Sequence, residues 1–209
     1  MTPNPTVLKS LNDEVMNAQL TDGTPVTIRT IQPSDLALMR GGIGQLSSRS
    51  RYFRFFSHQP VPPDSVIQKL VDVDGYNHFA WGALLTNCPN DTPIGAVHVF
   101  RDGARWDTGE LSFAIVDAYH GLGLARMLMA VLLTHCRVAQ IRWLDAHVLF
   151  ENKAAANLVR TLGAKRSSTP AAVSDYELDV GLALETLRAR GKNKTVQAIF
   201  KQLAEYSKS

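Results

Sequence analysis

Between Gly109 and His135 the hydrophobic period of the chain changes, and two glycines stand at the change. Gly109–Val116 alternates, with Leu111, Phe113 and Ile115 on one face, the pattern of a half-buried strand. Leu124, Met127, Leu128, Val131, Leu132 and His135 then recur at the three-and-four spacing of an amphipathic helix. A strand therefore runs through the turn Asp117–Gly123 into a helix. The first turn of a helix carries N–H groups without intrahelical partners and the positive end of the dipole, which together favour an anion. Gly121 and Gly123 have no Cβ, so a phosphate can approach their backbone closely. The arrangement points to a phosphate-bearing ligand.

The spacing narrows that ligand. A dinucleotide fingerprint needs a third small residue and a downstream acid, and a P-loop needs a terminal Gly-Lys-Ser/Thr; neither is present. The run His120-x-x-Gly123-x-Ala125 instead resembles the Gln/Arg-x-x-Gly-x-Gly/Ala pyrophosphate loop of the GNAT superfamily of acyl-CoA-dependent N-acyltransferases, with histidine where that family usually has Gln or Arg. A second segment matches in order and spacing. Trp143–Phe150 has the pattern of a strand, and Asn152-x-x-Ala155-x-x-Leu158-Val159-x-x-x-Gly163-Ala164 is similar to the family's Asn-x-x-Ala-x-x-Leu-Tyr-x-x-x-Gly-Phe helix. Asn152 is a good N-cap type, Ala155, Leu158, Val159 and Leu162 form an apolar stripe, and Gly163 suits the residue after the helix. The one departure is Val159, where the family often carries the tyrosine that protonates the leaving thiolate.

The resemblance implies an α/β (α+β) fold: a mixed, mostly antiparallel central sheet with a splayed strand pair and helices on both faces. The residue patterns are compatible with it. Asp22-Gly23 marks a hairpin into Val26–Ile31, Pro33–Asp35 begins a helix to about Leu46, and a second helix follows Pro62-Pro63 with Val66, Ile67, Leu70 and Val71 inward. Phe79–Thr86 and Ile94–Arg101 are strands joined by the turn-rich segment 87–93, and Asp175–Val180 closes the sheet. The expected organisation is a loose polar leader over 1–13, the acyltransferase domain over 14–180, and a helical extension over 181–209, whose stripe Val196, Ile199, Phe200, Leu203 and Tyr206 must pack on its own domain or on a second copy. Monomer and homodimer both remain open.

Leu46–Phe56, with four aromatics among its arginines, looks like the first-helix region of bacterial protein-lysine acetyltransferases. It serves either as core packing with arginines reaching outward or as part of the substrate wall. At 209 residues and net charge +3, with Lys and Arg scattered, nothing marks nucleic-acid binding. The longest apolar run, Met127–Leu133, is far too short to span a membrane, no secretory signal is visible, and Cys88 and Cys136 suit reduced thiols, so a cytoplasmic location is expected.

By resemblance, acetyl-CoA is the co-substrate and a primary amine, on a protein lysine or a small molecule, is the acceptor, with no metal. The diphosphate would sit on the main-chain N–H groups of Gly121, Leu122, Gly123, Leu124, Ala125 and Arg126, with Arg126 able to add charge, and His120 would stand among the cofactor-binding residues. Ile115 and Val116 would hold the pantetheine and polarise the thioester carbonyl, and Asn152 would touch the cofactor from the neighbouring strand. An amine of pKa ~10.4 must lose a proton before it attacks. Glu110 stands where many family members place a carboxylate base, and His98 and His147 are alternatives. A fold that binds acetyl-CoA as a sensor without transferring the acyl group is the competing reading.

Overall fold

The alternating segments pair into one eight-stranded sheet in the order β1-β2-β3-β4-β5-β6-β8-β7. The computed structural model describes residues 14–86, 91–167, 172–189 and 194–206. Strands β1 (Val15–Gln19) and β2 (Pro25–Thr30) form the expected hairpin, with Gly23 at φ +89° in the turn, a conformation that favours glycine. Strands β3 (His78–Leu85), β4 (Thr92–Arg101) and β5 (Thr108–Ile115) continue antiparallel. Strand β6 (Trp143–Leu149) joins β5 in parallel, but only where Thr108–Glu110 face Trp143–Asp145. Beyond Glu110 the two strands run on without a ladder, and the sheet opens between them. Strand β8 (Val173–Asp179) pairs antiparallel with β6, and the two-residue β7 (Lys165–Arg166) lies outside it, so β8 does not close the sheet as its sequence suggests.

One face carries the main core. Helix α4 (Leu124–Val138) is apolar almost all round and is buried from Met127 to Cys136 against Phe79, Trp81, Val97, Val99 and Leu111. Helices α5 (Lys153–Thr161), α6 (Val180–Ala189) and α7 (Lys194–Tyr206) complete the same cluster through Val159, Leu184, Ile199 and Leu203. The C-terminal stripe thus packs on its own chain. Cys136 is a free, buried thiol; Cys88, residues 1–13 and the side chain of Tyr206 lie outside what is described.

The other face is thinner. Helix α1 (Leu36–Gln45) follows a turn of 3-10 helix at Pro33–Asp35 and runs through its glycines, because tertiary packing overrides their poor propensity. A Cβ at Gly42 would lie 3.3 Å from Pro93, so that glycine lets α1 approach β4. The bidentate pair of Arg29 with Asp35, at 2.6 and 2.8 Å, ties the start of α1 to β2. Helix α3 (Asp64–Val71) buries Ile67, Leu70 and Val71. Val66, expected inward, is 36% exposed. Residues 48–55 form a separate helix, α2 (Ser48–Phe55), capped by the Ser47 hydroxyl accepting from Ser50 N–H at 3.1 Å. None of its residues is fully buried, yet Phe55 packs on the Ile43, Ile67 and Leu70 cluster, so core packing accounts for part of the aromatic-basic run.

Candidate active site

The opening between β5 and β6 is the floor of a cleft of about 480 Å³. Its walls come from α2, from the turn before α4, and from the start of α5. The Val116 N–H donates to the Ile94 carbonyl at 2.9 Å, which fixes which way each main-chain group on β5 points. In an antiparallel ladder these directions alternate. Ala114 and Ser112 therefore turn their N–H and C=O to β4, while Ile115 and Phe113 turn theirs to the opening. Val116 is accordingly withdrawn as a cleft donor: its N–H is committed to β4, its C=O accepts from Tyr119 N–H at 2.9 Å, and it lines a small apolar pocket under α1. Phe113 takes its place, a residue that the alternation would identify once the pairing is known.

At the head of α4, Gly121 and Gly123 adopt φ of +76° and +89°. This left-handed turn aims successive N–H groups in one direction. Those of Gly121, Leu122, Gly123, Leu124 and Ala125 find no protein acceptor among the described residues, whereas the Arg126 N–H bonds back to the Gly123 carbonyl at 3.1 Å. Arg126 can therefore offer an anion its exposed side chain but not its amide. His120 has a contact that no residue pattern announces. Its ring Nε2–H donates to the Ile115 carbonyl at 2.9 Å, across the mouth of the opening. Asn152 caps α5 by accepting from Ala155 N–H at 3.1 Å and lines the cleft, leaving its side-chain N–H groups for a ligand.

On the acceptor side, Glu110 is exposed in the cleft, on the face of β5 that also carries Ser112. His98 lies across from Ser112 but is only 2% exposed. The His78 Nδ1–H donates to the Asp72 carbonyl at 2.8 Å, so His78 Nε2 accepts from His98 Nδ1–H at 3.1 Å. Burial, then the charge of Arg54, hold His98 well below the ordinary histidine range. His98 is buried and is not among the residues that line the cleft, which sets it apart from Glu110 and His147 as a candidate base. His147 lines the cleft from β6, and its Nδ1–H donates to Asp175 at 2.7 Å, the arrangement that orients an imidazole for proton transfer. Val159 is buried in the core under α5, so no hydroxyl stands at that position; Tyr119 lines the cleft instead.

A family model described as the Acetyltransferase (GNAT) domain matches residues 26–165. This chain belongs to the GNAT acetyltransferase family. It is 30% identical over 146 residues to an acetyltransferase of Pseudomonas aeruginosa, covering 77% of that protein. It is 27% identical over 162 residues to Acetyltransferase Pat of Mycolicibacterium smegmatis, of which it spans 48%. The chain thus spans about half the length of that relative. In fold it matches the GNAT domain of PAT from S. lividans at a TM-score of 0.72 and 24% identity, covering 79% of this chain and 96% of that domain.

This GNAT domain has a cleft wall in the segment for which the sequence left core packing and substrate wall both open: Ser50, Phe53, Arg54, Phe55 and Phe56 from α2 and its C-terminal end. Phe56 holds φ at +54°, a strained conformation for a bulky residue. The Asp117 carboxylate anchors this wall, accepting from Ser47 N–H at 2.9 Å and from the Ser47 and Ser50 hydroxyls at 2.8 Å each. Burial raises the Asp117 pKa, but these donors outweigh it and hold the carboxyl below its usual range. Among the described residues no helix is long and apolar enough to cross a membrane.

Proposed function

We propose that this chain transfers an acetyl group from acetyl-CoA directly to a primary amine. The observation that carries the proposal is the conjunction of an opened β5–β6 pair with a row of N–H donors at the head of α4. The unpartnered amides from Gly121 to Ala125 suit a diphosphate, with the Arg126 side chain adding charge. The main chain of Phe113 and Ile115 suits a pantetheine arm laid along the opening, and the Ile115 N–H suits the developing oxyanion. The co-substrate would supply the activated thioester; the protein's own residues hold, orient and deprotonate.

Glu110 is the proposed base because it lies in the cleft on the acceptor face of β5. His147, oriented by Asp175, is a specific second candidate for the same proton. No tyrosine stands at residue 159, and a thiol of pKa ~8.5 is a tolerable leaving group without a general acid.

Two measurements test this. Acetyl-CoA should raise the melting temperature at concentrations well above its Kd, and no shift there would remove the cofactor reading. Glu110→Gln should lower kcat by about 100-fold with cofactor binding unchanged, while His147→Gln should leave most turnover intact. The reverse pattern would transfer the base to the His147–Asp175 pair. Cofactor binding without transfer to any amine would favour the sensor reading.

A further inference from the structure

Two polar groups in the acceptor side of the cleft are left without partners by the fold itself. Arg54 turns inward from α2 and lines the cleft together with Glu110. Its guanidinium has neither an ion pair nor a hydrogen bond among the described residues; it lies over the Phe55 ring, with the guanidinium carbon 5.1 Å from the ring centre. Glu110 is close enough to act on it electrostatically, yet the two do not join. The second group is Ser112, two residues along the same face of β5, whose hydroxyl is buried and has no hydrogen-bond partner. A guanidinium has five donors, here half-buried and open to the cleft, and a hydroxyl has one, which is costly to bury without a partner. Of the other two arginines of this helix, Arg51 donates to the Leu46 carbonyl at 2.6 Å and Arg49 lies over the Phe53 ring, 5.1 Å from its centre.

An anion brought by the ligand would satisfy both groups. Glu110 beside them suits a cation, and Phe53 and Phe56 give the same wall an apolar surface. We infer that the acceptor is a small zwitterion, an amine with a carboxylate a few bonds away on an apolar body, of the kind a hydrophobic amino acid presents. Arg54 and Ser112 take the carboxylate, Glu110 faces the ammonium, and the phenylalanines take the side chain. The step balances as ordinary acyl transfer. The ammonium gives one proton to the base, the neutral nitrogen forms a bond to the thioester carbon, and the carbon–sulfur bond breaks as that nitrogen loses its second proton; the sulfur leaves as thiolate and takes up one proton, so one net proton passes to solvent. Burial brings the Arg54 pKa down to about 10, which leaves it charged at neutral pH and short of a counter-ion.

This assignment rests on the acyl-transfer reading above, so its test separates the two. The protein is assayed with acetyl-CoA and matched pairs: phenylalanine against phenethylamine, leucine against isopentylamine, and short peptides with an internal lysine with or without a neighbouring glutamate. Expected is a kcat/KM at least tenfold higher for each amino acid than for its decarboxylated partner. Arg54→Gln should abolish that preference by raising KM for the amino acids at least tenfold, with the plain amines changed less than threefold; Ser112→Ala should give a smaller rise of the same kind. Equal rates for acid and decarboxylated amine, an equal loss for both in Arg54→Gln, or turnover of the lysine peptides alone would overturn it. A readout without turnover covers failure of the transferase reading: phenylalanine but not phenethylamine should shift the melting temperature of the wild-type protein, and Arg54→Gln should erase the shift. If phenylalanine gives no shift and no turnover while acetyl-CoA still binds, the zwitterion assignment falls and the cofactor site stands.

Discussion

The least comfortable residue in the core is His135. It is fully buried and stacks on Phe79 at 4.2 Å between ring centres. Its Nδ1 accepts from the Trp81 indole N–H at 3.2 Å, so the proton sits on Nε2, which has no partner. A satisfied indole is thus set against an orphaned imidazole N–H. Replacing His135 with Leu alone should destabilise by about 1–3 kcal/mol, because the indole N–H loses its acceptor. Replacing both, as Trp81→Phe with His135→Leu, removes every orphan and should recover most of that loss. Chemical denaturation of the two single variants and the double variant measures the coupling; strict additivity would show that the bond does not matter. Gly123 is strained for any other residue. At φ +89°, Gly123→Ala should cost about 1–2 kcal/mol and weaken acetyl-CoA binding by distorting the donor row, both measurable by thermal shift with and without the ligand.

At the level of elements, the cleft has a fixed wall and a tethered one. The fixed wall is β5, β6 and the head of α4, all rooted in the core. The tethered wall is α2, which buries nothing fully and is held by the Asp117 hydrogen bonds, the Arg51 bond to Leu46 and the packing of Phe55. Asp117→Ala should therefore raise KM for the acceptor several-fold, leave acetyl-CoA affinity nearly unchanged, and lower stability by only about 1 kcal/mol, each hydrogen bond being modest on a partly exposed site. Steady-state kinetics varying each substrate in turn would show it; a rise confined to the acetyl-CoA KM would refute it. This division also explains what was legible in the sequence. Helices α4 and α5 and strand β5 announce themselves because their buried faces impose a strict period. Helix α2 does not, since its inward side is shared between the cleft and the Ile43, Ile67 and Leu70 cluster and tolerates arginine. Its sequence left core packing and cleft wall both open, and the inward turn of Arg54 needed coordinates. So did the exchange of Val116 for Phe113, because the direction of a main-chain N–H depends on a register that no side-chain pattern encodes. The two-residue β7 has no period to detect.

For the molecule as a whole, these residues set how stability responds to acid. Three histidines, His78, His98 and His135, are held neutral, with burial the leading cause for each, and His135 is pushed down to about 4. Each binds a proton more readily in the unfolded chain, near the ordinary pKa of ~6.5, than in the fold. Their contribution is complete above that value and is lost as pH falls toward the folded pKa. For His135 alone the drop from ~6.5 to about 4 corresponds to about 3 kcal/mol. The depressed carboxylates act lower. Asp35 and Asp117 are opposed by burial but held down by Arg29 with the Gln32 N–H and by Ser47 with Ser50, and their contribution is lost only as pH falls below ~3.9. Acid should therefore destabilise this protein in two stages, the first beginning near pH 6.5 while every carboxylate pair is intact. The urea midpoint measured from pH 8 to pH 3 should decline steadily below about 6.5 and then steepen below 4. Trp81→Phe with His135→Leu should flatten the first stage without moving the second. A midpoint constant from pH 7 to pH 4.5 would mean that these rings gain protons as easily in the fold as in the open chain, and that the core around α4 is wetter than its packing implies.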